Sequence, residues 1–81
     1  MTTNNKQESI WVNGQEMQGT VHAWQEGVFG NVYLVEVEGS FHRASRDEDD
    51  GMLVSRNNAL SSNLVEAAYE LSFIDFAKQA A

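Results

Sequence analysis

The chain has 81 residues, twelve of them acidic against five basic, with a formal net charge of −7 and neither cysteine nor proline. Such a length gives one domain with a modest core, and without cysteine it lacks disulfide staples and any thiolate metal site. The negative field repels nucleic acid and anionic membranes as direct partners and attracts basic surfaces from a distance.

Residues 1–8 contain no apolar run after the first methionine and are expected to be a flexible segment, leaving 9–81 as a single domain. No basic start leads into an apolar stretch, so no secretory signal is expected. The longest apolar run, residues 32–35, is far short of the roughly 20 residues of a membrane helix. A soluble, cytoplasmic protein is therefore expected, and the lack of cysteine suits a reducing compartment.

In chain order, Ile10, Trp11 and Val12 lead into Asn13-Gly14, the pair best suited to a type I′ hairpin turn. The returning arm at 15–18 is polar. Gly19 suggests a bulge, after which residues 20–24 alternate as a strand does. Residues 26–31 read as a loop, with the apolar pair Val28-Phe29 between two glycines. The clearest strand spans 32–38, with Tyr33, Val35 and Val37 on a core face and Leu34, Glu36 and Glu38 on the solvent face. Gly39-Ser40 fits a type II′ turn, residues 41–45 pair back, and residues 52–54 add a short last strand.

The period then changes. Leu60, Leu64, Ala67, Ala68, Leu71 and Ile74 recur at helical spacing, and Val65, Tyr69, Phe73 and Phe76 widen the stripe. Asn63 with Glu66 resembles a capping box, although Asn57 or Asn58 would cap an earlier start. One helix is expected from about 58–63 to about 79. The expected fold is α+β, a small antiparallel meander of three to five strands packed against one C-terminal α-helix.

No constellation points to catalysis. Asp47, Glu48, Asp49, Asp50 and Gly51 form the densest charge cluster, but an EF-hand register puts Arg46 at the first ligand position and Asn57 at the last. His22 and His42 lack metal-ligand spacing, no serine sits in a Gly-x-Ser-x-Gly turn, and the glycines at 27 and 30 lack a P-loop ending. No enzyme activity, cofactor or metal is expected.

The carboxylates remain. Glu36 and Glu38 on the strand, Asp47, Glu48, Asp49 and Asp50 in the loop, and Glu66 and Glu70 one helical turn apart are the candidate partner-binding residues. Twelve carboxylates match the charge on about 20 Å of duplex DNA, so they suit a basic groove that normally holds nucleic acid. In composition alone, without any shared motif, the chain is similar to small acidic inhibitors of phages and mobile elements, anti-CRISPR proteins among them. The expected function is a protein-binding module, an inhibitor or nucleic-acid mimic that presents acid to a basic partner. The alternative is a structural or homodimeric subunit that associates through aromatic sheet surface, with Trp11, Trp24 and Phe29 as anchors.

Overall fold

The computed structural model describes residues 2–81, with side chains from residue 5 onward. Five strands follow in order: β1 (Thr2–Val12), β2 (Gln15–Gly27), β3 (Gly30–Val37), β4 (Ser40–Arg46) and β5 (Leu53–Asn57). Two helices close the chain, α1 (Leu64–Glu70) and α2 (Ile74–Ala80). Each strand pairs antiparallel with the next. The fifth then meets the first, so the sheet is a closed barrel. An up-and-down order with an odd number of strands returns the last in the direction of the first, and the closing pair must be parallel. It is, through Ile10↔Leu53 and Trp11↔Val54. Closure covers the sheet edge over these two paired positions.

Of the segment 1–8 read as flexible, Met1 lies outside the described residues, and Thr2, Thr3 and the backbone from Lys6 onward pair with β2. Asn13 and Gly14 take positive φ of 53° and 78°, the type I′ turn their chemistry favours. The β3–β4 turn departs from expectation. It falls on Glu38 (φ 50°) and Gly39 (φ 81°), with Val37 paired to Ser40, so it too is type I′ rather than a type II′ turn at Gly39-Ser40. Pairing Val37 with Ser40 keeps Val37 in the barrel and forces Glu38 into the left-handed region. Gly19 is no bulge either: it sits in register opposite Glu8, and the β1–β2 irregularity lies between Thr3 and Lys6.

The barrel separates two packed regions. Inside lie Ile10, Val21, Tyr33, Val35, Val37, Ala44 and Leu53. Outside, Ala23, Leu34 and Phe41 pack under Ala67, Ala68, Phe73, Phe76 and Ala77 of the helical segment. Leu34 therefore does not face solvent as alternation suggests; it is fully buried beneath the helices. A break in register between Val21 and Ala23 allows β2 to send Val21 inward and Ala23 outward despite their even spacing.

The expected single helix is two short ones. Leu71 ends α1, and Ser72 takes a φ of 63°. The Ser72 amide donates to the Tyr69 carbonyl at 2.9 Å and the Phe73 amide to the Ala68 carbonyl at 2.8 Å. This double closure is a Schellman motif. A continuous helix would keep the next turn on one axis; the break turns the chain so that Phe73 and Phe76 both reach the sheet, where they are 1% and 8% exposed. Asn63 caps α1, its Oδ1 accepting from the Glu66 amide at 3.1 Å, and residues 58–63 stay outside the helix.

Candidate functional site

The candidate carboxylates do not form one surface. Glu38 occupies the β3–β4 turn, and Glu36, at the same end of the barrel, meets His22 Nε2 at 2.8 Å. Asp47, Glu48, Asp49 and Asp50 follow β4 at the opposite end. The intervening strand separates the two groups by about 20 Å at 3.3 Å per residue. Glu66 and Glu70 lie on α1 and turn back on the preceding loop, accepting from the Ser61 hydroxyl at 2.8 Å and the Ser61 amide at 2.7 Å. They hold that loop against the helix, which explains how two like charges four residues apart are tolerated.

The 47–50 loop is internally braced. The Asp49 amide donates to Asp47 Oδ1 at 2.8 Å and the Met52 amide to Asp50 Oδ1 at 2.9 Å. The Asp47 amide also donates to the Met52 carbonyl at 2.8 Å. Two Asx turns thus spend one oxygen of Asp47 and one of Asp50 on the backbone.

Beneath the loop, the exposed Arg46 lies over the Tyr33 ring at this end of the barrel. Its Nη1 donates to Glu8 Oε1 at 2.6 Å and to the Gly51 carbonyl at 3.0 Å, and its Nε donates to the Tyr33 hydroxyl at 3.1 Å. The guanidinium carbon lies 4.9 Å from the Tyr33 ring centroid. The Glu8 hydrogen bond above all pushes the Arg46 pKa further up, against the opposing effect of burial. The ring and the fork fix each other, so the loop stands on a rigid base.

The β2–β3 turn reaches the same end. Gly27 pairs with Gly30 across Val28 and Phe29, which are 93% and 102% exposed. Neither has positive φ; Gly30 takes it instead, at 112°. Phe29 shares a groove of about 620 Å³ with Asn31, Arg56 and residues Asp47, Glu48 and Asp49 of the loop. An aromatic side chain free of any packing duty therefore stands beside the carboxylates.

Two features escaped the sequence pattern. By sequence, Arg43, Arg46 and Arg56 flank the acidic loop as partial counter-ions, yet the ion pairs among the described residues are His22–Glu36 and Arg46–Glu8, neither of them with the loop. The available signal for the turn was local: two apolar residues occupy a two-residue turn where Asn or Gly is favoured.

The histidines do not converge. His42, 4% exposed, meets Ser55 Oγ at 2.8 Å through Nδ1, and burial lowers its pKa. This contact satisfies a buried polar group, and neither residue lines the groove. No group of three metal-ligating side chains occurs among the described residues, and no helix there is long and apolar enough to cross a membrane. No family model, curated protein or solved structure matches the chain.

Proposed function

We propose that the protein is a cytoplasmic protein-binding module without catalytic chemistry of its own. It docks the barrel end carrying Phe29 and residues 47–50 onto a basic partner surface. One observation carries this reading: a fully exposed phenylalanine lines the same groove as Asp47, Glu48 and Asp49. An aromatic side chain supplies buried apolar contact, and charges around it steer encounter and reject like-charged surfaces. Where the partner surface is a groove that normally holds nucleic acid, docking of this kind inhibits by occupation. Glu36 and Glu38, about 20 Å away, add to the long-range field rather than to the contact.

The test is capture of the partner, followed by association kinetics with that purified partner. Neutralising the loop (Asp47→Asn, Glu48→Gln, Asp49→Asn, Asp50→Asn) should slow association about tenfold and flatten its salt dependence. Phe29→Ala should mainly speed dissociation. A partner retained undiminished by both variants overturns the reading. The exposure of Val28 and Phe29 also favours a second reading, self-association through apolar contact. A dimer on sizing that Phe29→Ala dissolves and salt leaves intact would support that one.

A further inference from the structure

The groove beside Phe29 continues. Phe29, Asn31, Ser45 and Arg56 line both it and a second depression of about 350 Å³ over the outer face of β4. That depression shares Gly27, Val32 and Arg43 with a third, of about 330 Å³, reaching Leu60 and Leu71 beside the helices. A single open channel thus crosses the outside of the barrel, walled on one side by the β2–β3 turn.

Its floor is basic. β5 carries one extra residue between the partners of Arg43 and Ala44, so Arg43 faces Asn57 while Ala44 faces Ser55. A bulge of this kind re-aims the side chain it inserts. Ser55 turns inward to His42, and Arg56 stands outside near Arg43. The Arg56 Nε is fixed by the Ser45 hydroxyl at 2.8 Å, and neither arginine makes an ion pair among the described residues. Both are exposed. In a chain with twelve carboxylates, these two arginines keep their charge-assisted donors available to an acidic group.

The mouths have the opposite sign, with Asp47, Glu48 and Asp49 at one and Glu26 and Glu70 at the other. A nucleic-acid strand, charged every few ångströms, would place phosphates against those carboxylates. An extended peptide can alternate its charge. We propose that the channel binds an extended segment of the partner with a central Glu or Asp on Arg43 and Arg56. An apolar neighbour lies against Phe29 and Val28, and Lys or Arg flanks both sides. This assignment rests on the protein-binding reading above and names the chemistry of the bound segment.

The probe is a fluorescein-labelled peptide with leucine and glutamate at its centre and two lysines at each end, followed by anisotropy. Its control replaces the glutamate with glutamine, and a labelled oligothymidylate is the third arm. The glutamate peptide should bind about tenfold tighter than the control. The double variant Arg43→Ala/Arg56→Ala should erase that preference while leaving the folded circular dichroism spectrum unchanged, both side chains being exposed. Phe29→Ala should weaken both peptides equally. Equal, salt-sensitive binding of both peptides to the wild-type protein overturns the central-carboxylate assignment and leaves the acidic docking surface standing. Absence of peptide binding, or tighter binding of the oligothymidylate, overturns the peptide assignment, whereas the docking reading fails only by the partner kinetics.

Discussion

Gly19 shows how one missing side chain sets the barrel's interior. A Cβ at this position would lie 2.7 Å from Val35 Cγ1 and 3.1 Å from Val37 Cγ2, both packed inside the sheet. These valines are stiff at χ1 and cannot swing aside. Gly19→Ala should therefore destabilise the fold by about 1–3 kcal/mol, read as a lower urea midpoint. An unchanged midpoint would mean that the barrel is more compliant than this packing implies. His42 makes a second residue-level case. Burial holds its imidazole below the ordinary value of 6.5, so the unfolded chain takes up the proton more readily. The stabilising difference is fully present above pH 6.5 and is lost as pH falls below it. The slope is at most about 1.4 kcal/mol per pH unit. Chemical denaturation between pH 7 and pH 5.5 should show this decline, and His42→Gln should flatten it. A slope equal in both proteins would place its origin elsewhere.

At the scale of elements, the junction of the two helices is the informative place. Ser72 holds a φ of 63° that glycine adopts at no steric cost, and it does so to close the Schellman motif that delivers Phe73 to the core. Ser72→Gly should raise stability by roughly 1 kcal/mol, a gain of about 4–8 °C in Tm for a chain of this size. A fall in Tm would show that α1 and α2 are not held apart by this turn. At the start of α1, Ser61 relays the capping box: its hydroxyl donates to Glu66 and accepts from the Asn63 amide at 3.1 Å. The Asn63–Glu66 pairing was legible because caps are local chemistry. The break at Ser72 was not, because the apolar stripe runs through it unchanged and only the sheet beneath shows where Phe73 must go.

For the whole molecule, charge is the dominant variable. The chain spans 33 × 27 × 21 Å with a net charge of −7, dimensions close to the Debye length of about 30 Å at 0.01 M salt. Its carboxylates repel one another across the entire molecule at low ionic strength. Raising the salt from 0.01 M to 0.3 M should therefore increase Tm, since screening weakens the long-range repulsion among many carboxylates more than it weakens the 2.6 Å contact of the Arg46–Glu8 pair. A Tm that falls with salt would show that this pair outweighs the net repulsion. By itself the sequence determined the class of the protein, an acidic α+β chain. It also showed the Asn13-Gly14 turn, a strand from Val32 whose end it set at Glu38, one residue into the turn, and a helical C-terminal third, because turn chemistry and apolar period act within a few residues. Only the tertiary structure decided that five strands close on themselves and that Leu34 lies under helices. It also decided that Glu36 and Asp47 stand at opposite ends while Phe29 joins the acidic loop. Those relations depend on the register between segments distant in the chain, where a single bulge redirects a side chain, and no local pattern encodes that register.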